Sequence, residues 1–148
     1  MNPDQALLQK FSGTPLVIDS NPLALALDSR LIAMDRTAGL VRLTFNPGPQ
    51  FIQGRGVVQG GVVSTMLDFA AAYASLCVLP EGQTAATATM TVNFHGAVRA
   101  GIVNATGMVE RAGKRLIFSK AQIIGEGEKV LATATAVMSV LADAPPAS

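Results

Sequence analysis

The chain has one cysteine, Cys77, and one histidine, His95, among its 148 residues. An internal disulfide needs two thiols and a structural zinc site usually needs four such ligands, so both kinds of staple are excluded. No metal and no cofactor is expected. Charge is scarce too: Asp, Glu, Lys and Arg make up 14% of the residues and the formal net charge is +1. Such a chain raises no field of the kind that gathers phosphate backbones, which argues against DNA and RNA as partners. Its opening, Met1-Asn2-Pro3-Asp4-Gln5, lacks a basic stretch followed by an apolar core and a small-residue cleavage site. A cytoplasmic protein is therefore expected. No internal repeat or low-complexity segment interrupts the sequence.

What is present is apolar. Hydrophobic residues make up 49% of the chain and the mean hydropathy is +0.39, which excludes a disordered polypeptide. The length suits one domain, taken as residues 1–141, with a disordered tail at 142–148 containing Pro145-Pro146. A small chain with so little charge is expected to cover apolar surface with copies of itself. The longest apolar stretch, Val62 through Leu79, approaches the roughly 20 residues of a membrane span. It carries Ser64, Thr65, Asp68, Tyr73 and Ser75, and a mid-span Asp costs about 2.5–3.5 kcal/mol to insert. It reads as a buried helix and not as a membrane anchor.

Local signals order the remainder. Pro3 to Phe11 reads as a short amphipathic helix stopped by Gly13 and Pro15, serving as a lid or brace. Asn21-Pro22 signals a turn or a helix start. A strand over Leu27–Asp35 turns at Thr37-Ala38-Gly39 into Leu40–Phe45, forming a hairpin. Gln59-Gly60-Gly61 opens the long helix and Pro80-Glu81-Gly82 closes it. In Thr87 to Phe94 the alternation places Thr87, Thr89, Thr91 and Asn93 on one face, with Ala88, Met90, Val92 and Phe94 on the other. Segments 102–110, 116–124 and 130–140 are β-rich and separated by turn compositions, so they form an antiparallel meander. A helix apolar nearly all round must be surrounded, and one sheet curled about it does so. The fold class is α+β, a curved antiparallel sheet wrapped around one long helix.

Asp68 is the one charged residue of that helix. Its helical neighbours Ser64, Thr65, Ala71, Ala72 and Ser75 are small or hydroxylated, so the stripe leaves room beside the carboxylate. The opposite stripe, Val63, Met66, Leu67, Ala70 and Leu76, suits the core. Asp68 reads either as a structural carboxylate satisfied by hydroxyls or by a partner's backbone, or as a functional one. Gly60 and Gly61 put unobstructed N–H groups at the helix start, where the macrodipole adds about half a positive charge, an arrangement suited to an oxyanion. Paired glycines also simply permit a tight turn. The carboxylate seven positions beyond Gly61 makes the combination more specific than either part.

The stretch Gln53 to Ala74, with Gly60-Gly61, Asp68 and the following Ala-Ala-Ala-Tyr-Ala, resembles the hotdog-fold acyl-CoA thioesterases of the PaaI and 4-hydroxybenzoyl-CoA thioesterase type. Thr89–Phe94, the Arg111–Arg115 turn and Ala132-Thr133-Ala134 extend the resemblance over nearly the whole chain. The resemblance implies a thioester hydrolase that releases a free acid from an aryl- or fatty-acyl-CoA. It implies that Asp68 is base or nucleophile and that the Gly60 amide polarises the carbonyl. Gln53 would orient water or substrate, and Thr87 would assist the carboxylate. It further implies a homodimer or dimer of dimers, with Gln53 and Gly60 from one subunit and Asp68 and Thr87 from the other. The family's usual His stands here as Gln59, which with Gly61 would line the substrate entrance. Arg111, Lys114 and Arg115, with Arg99 nearby, read as a solvated hairpin tip or as contacts to the coenzyme A phosphates.

Thioester hydrolysis builds negative charge on the carbonyl oxygen, and a fixed amide donor there is worth roughly 10²- to 10³-fold in rate. Partial desolvation is expected to make Asp68 a stronger base than a free carboxylate. His95, next to Gly96 at a strand end, is read as structural or solvent-facing and not as the base. A hydratase or dehydratase would want a His paired with the acid, and none lies on or beside the helix. A non-catalytic acyl-CoA sensor stays open because of Gln59.

Overall fold

Asn2 opens the chain by capping a helix. Its side-chain oxygen accepts the Asp4 N–H at 2.7 Å in the computed structural model, which describes residues 2–143, and Pro3 fills the first helical position. This helix, α1, spans Pro3–Lys10; β1 (Leu16–Val17) follows. Asn21 then caps α2 (Pro22–Ala26), accepting from the Leu23 and Ala24 N–H groups, so the Asn-Pro pair is a helix start. The strand expected from Leu27 begins later, as β2 (Arg30–Asp35), because Leu27 and Ser29 donate back to Leu23 and Ala24 and close the helix. β3 is Leu40–Phe45, and Gly39, at φ +64°, makes the turn between the two strands.

The long helix α3 spans Gly60–Val78. After it come β4 (Gln83–Phe94), β5 (Val103–Ala112), β6 (Leu116–Ile124) and β7 (Val130–Ala142). All pairs are antiparallel, and the sheet runs β1-β2-β3-β5-β6-β7-β4. The meander expected for the last three strands is present. β4 leaves the helix for the far flank of β7, and the chain then crosses back to lay β5 beside β3. β7 takes in Ala142, paired with Gln83, and the Asp143 N–H bonds the Gly82 carbonyl, so the first two residues of the expected tail are ordered. The rest of that segment, 144–148, lies outside the described residues.

α3 has the length and apolar composition of a membrane span, but it is the core helix of this fold. Val41, Leu43 and Phe45 of β3, Ile117 and Ile123 of β6 and Met138 of β7 are all buried against it. Each such side chain contributes roughly 1.5–3 kcal/mol by leaving water. Close approach needs a small residue: a Cβ at Gly107 would overlap the Ala70 carbonyl. Ala71 and Ser75, expected on the open stripe, are buried with the core, and the Ser75 hydroxyl donates to the Ala71 carbonyl at 2.9 Å. The wrap is also incomplete, since Gly61, Thr65, Asp68 and Ala72 keep solvent access. At the other end α1 braces the helix, where Tyr73 Oη donates to Asp4 Oδ1 at 2.6 Å.

β4 is an edge strand twelve residues long, paired to β7 along one side only among the described residues. Thr87 faces Met138 and Thr89 faces Val137, so Ala88 is an extra residue. This bulge breaks the simple alternation. Thr87 shares the helix-facing side with Met90, Val92 and Phe94, whose partners Ala136, Ala134 and Ala132 are buried, while Thr89 and Thr91 face away.

Candidate active site

The bulge delivers Thr87 to Asp68. Thr87 Oγ1 donates to Asp68 Oδ1 at 2.7 Å, with the buried Met138 thioether 3.4 Å from the same hydroxyl. This is the carboxylate's one hydrogen bond among the described residues, and the second oxygen is open on a half-buried helix face. The helix's own hydroxyls do not serve Asp68: Ser64 donates to the Gly60 carbonyl at 3.1 Å and Thr65 to the Gly61 carbonyl at 3.0 Å. A carboxylate held by one oxygen and free at the other can take a proton from water or attack a carbonyl carbon.

Gln59 is the residue before α3, and its side chain makes no capping bond. Its carbonyl accepts from Val62 and Val63 at 2.9 and 3.0 Å, which leaves the Gly60 and Gly61 N–H groups without a backbone acceptor among the described residues. Space in front of them differs. A Cβ on Gly61 would meet nothing within 4 Å, whereas one on Gly60 would touch the Phe94 ring at 3.6 Å. The Gln59 N–H bonds the Phe51 carbonyl at 2.9 Å and Ile52 pairs with Val58, so the chain from 51 to 59 doubles back. Gln53 sits near the tip of that doubled segment, its N–H on the Val57 carbonyl at 2.9 Å and its side chain exposed.

One pair therefore assembles, Asp68 with Thr87, while Gln53 and Gly60 make no side-chain contact with it among the described residues. Gly60 does not meet that pair within one chain, because the eight residues from Gly60 to Asp68 rise about 12 Å along the helix.

The basic cluster is at a different place from Arg99. Arg111 stands at a second bulge facing Phe118, and Lys114 and Arg115 form the exposed β5–β6 turn. Arg99 precedes β5 and pairs with Val57, so the length of β5, roughly 25 Å, separates it from Arg111. The expectation that Arg99 joins the cluster is corrected. His95 is exposed, with Nε2 3.1 Å from Thr133 Oγ1, and stands a comparable strand length from Thr87.

Two buried groups are shifted by their surroundings. Burial, reinforced by the bond to Asp4, raises the Tyr73 phenol well above its usual value. Burial pushes the Cys77 thiol up to about 11 against the pull of Arg36. Both face the core. Among the described residues no cluster of three or more His, Cys, Asp or Glu is arranged to hold a metal ion.

The profile of the thioesterase superfamily matches residues 55–132, more than half of the chain. No curated protein sequence matches. Among solved structures, a phenylacetic acid degradation-related protein of Ralstonia eutropha superposes with a TM-score of 0.79 at 24% identity, over 94% of this chain and 99% of its own. The PaaI protein of the Escherichia coli phenylacetic acid degradation operon gives 0.73 at 25% identity, over 82% and 85%. A Streptococcus mutans protein solved with acetyl-CoA bound gives 0.67 at 18% identity, over 76% and 88%. The chain thus belongs to the thioesterase superfamily, as a hotdog-fold thioester hydrolase of the PaaI type.

Proposed function

We propose that the protein hydrolyses aryl- or fatty-acyl-CoA thioesters at a site completed by two subunits. The observation that carries this reading is the Asp68 carboxylate, fixed through one oxygen by Thr87 and open at the other. The Gly60 N–H of one subunit polarises the thioester carbonyl, and Gln53 of that subunit holds the water or the carbonyl in line. From the second subunit Asp68 either removes a proton from the attacking water or itself adds to the carbonyl carbon. The tetrahedral oxyanion collapses, the C–S bond breaks, and the coenzyme A thiolate leaves and takes up a proton. In the nucleophilic route water then cleaves the acyl–Asp68 anhydride. The acetyl-CoA bound to the Streptococcus mutans relative supports a coenzyme A ligand.

Distance supports a second subunit in this reading, since no single thioester group spans the roughly 12 Å between Gly60 and Asp68 of one helix. The unpaired side of β4 is the surface that supports a dimer, because a long edge strand left bare invites pairing with another chain. A dimer, or a dimer of dimers, follows.

Thiol release measured over aryl, short-, medium- and long-chain acyl-CoAs, without added metal or cofactor, is the test. Release above background with at least one class is expected. No release from any of them would replace hydrolysis with acyl-CoA sensing.

A further inference from the structure

We propose, resting on the hydrolytic reading of Asp68 and Thr87, that Asn2 is a positioning residue: by holding Thr84 it fixes the register of the first part of β4, and with it the bulge that turns Thr87 toward Asp68. Asn2 Nδ2 donates to Thr84 Oγ1 at 2.7 Å across 82 positions of sequence. Its other amide atom, Oδ1, accepts the Asp4 N–H at 2.7 Å. One side chain thus joins the first turn of α1 to β4, with both ends of the amide in use.

Thr84 is where such a hold decides the register. It faces Leu141, whereas Thr89, beyond the bulge, faces Val137. From Thr84 to Thr89 is five steps along β4, and from Leu141 to Val137 is four along β7. While Thr84 stays opposite Leu141, one residue between the two pairs must drop out of the ladder, and that residue is Ala88. A slip that set Thr84 opposite Ala142 would absorb the extra residue. Thr87 would then share the outward side with Thr89 and Thr91, away from Asp68. β4 is open to such a slip, because only one of its sides is paired among the described residues.

Asn2 can hold Thr84 because α1 is itself anchored. Asp4 Oδ1 accepts from Tyr73 Oη at 2.6 Å and from the Ser20 hydroxyl, which ties the first turn of α1 to α3. The buried Gln5 donates through Nε2 to the Pro80 carbonyl at 3.1 Å, in the connection between α3 and β4. Residues 2, 4 and 5 therefore grip β4, α3 and the link between them. These are the two elements that carry Thr87 and Asp68. Leu7 and Leu8 already cover the core from the same helix, so the three polar contacts add a fixed position to that cover.

Two variants of the full chain test the hold. Thr84→Val keeps the shape and removes the hydroxyl, and Asn2→Ser keeps the helix cap on a side chain too short to reach Thr84. Each should lower kcat for thiol release by about fivefold with KM little changed, and Thr84→Ser should keep wild-type turnover. In a Thr87→Val background the same substitutions should alter kcat by about twofold at most, since no hydroxyl is left to position. Amide exchange in fragments covering 83–90 should be about tenfold faster in both variants, with the fragment around Asp68 unchanged. Wild-type kcat in well-folded Thr84→Val and Asn2→Ser proteins would overturn the assignment. So would a loss that persists undiminished in the Thr87→Val background, or unchanged exchange in 83–90. A wild-type protein that releases no thiol would refute the hydrolytic reading alone, and the exchange comparison would still decide whether Asn2 fixes the strand.

Discussion

The Thr87 hydroxyl meets the Asp68 carboxylate at 2.7 Å because one extra residue, Ala88, turns Thr87 toward the helix. A hydrogen bond to a charged group contributes roughly 1.5–3 kcal/mol. Thr87→Val, which keeps the shape and removes the donor, should therefore lower kcat by roughly tenfold or more. Thr87→Ser should keep most of it. Equal activity in the Val and wild-type enzymes would make the hydroxyl a structural feature of the strand and nothing more.

Asp68→Asn should reduce turnover by at least about 10³-fold while leaving fold and oligomer unchanged, since the amide has the same size but serves neither as base nor as nucleophile. Steady-state thiol release together with circular dichroism reads both parts. A variant that retains most of the wild-type kcat would make Asp68 a structural carboxylate bound by Thr87.

How much of this was legible depended on whether the signal was local. The start of α3 at Gly60 and the Gly39 turn rest on neighbouring residues, and sequence reading located them. The phase of β4 does not. Thr87, Thr89 and Thr91 alternate without a flaw in the sequence, and the bulge at Ala88 appears only from the pairing with Met138 and Val137. The resemblance nevertheless gave Thr87 the role of assisting the carboxylate, which alternation alone would have put on the far face. Ala71 and Ser75 were misjudged for a related reason: small residues mark open space or close packing equally well, and Gly107 across the sheet decides for packing.

That close packing has a measurable cost if disturbed. Gly107→Ala places a methyl group where the Ala70 carbonyl lies, so the strand or helix must shift. Overpacking of this kind costs about 1–3 kcal/mol, and the midpoint of thermal unfolding should fall by roughly 5–10 °C. Gly61→Ala, with open space in front of it, should leave the midpoint within about 2 °C. A Gly107→Ala protein as stable as the wild type would mean that the two elements stand farther apart than described.

Self-association should be visible in solution. Light scattering at micromolar concentration should give a mass of two or four chains of 15.3 kDa, because β4 has an unpaired side among the described residues and the proposed site draws on two subunits. A stable monomer that releases thiol would refute the two-subunit site.

Whether Gln53 and Asp68 meet across subunits can be tested directly. Gln53 lies in the segment that doubles back before α3 with its side chain exposed, and Asp68 is some two turns along the helix on the open face. If Gln53 orients the water or the carbonyl, Gln53→Ala should lower kcat more than it raises KM, because the contact is felt mainly in the transition state. The loss should be smaller than for Asp68→Asn. In a mixed dimer of Gln53→Ala and Asp68→Asn chains, one of the two sites takes both altered residues and the other takes both wild-type ones. Mixing the two impaired variants under conditions that exchange subunits should then raise activity toward about a quarter of the wild-type value, since random pairing makes half the dimers mixed and each carries one intact site of two. Either variant treated alone must stay low. A site built within one chain gives no such recovery, because every active centre then carries one of the two substitutions. Absence of recovery in dimers shown by mass spectrometry to be mixed would therefore dissociate Gln53 from Asp68 and confine the chemistry to the Asp68–Thr87 pair of a single subunit.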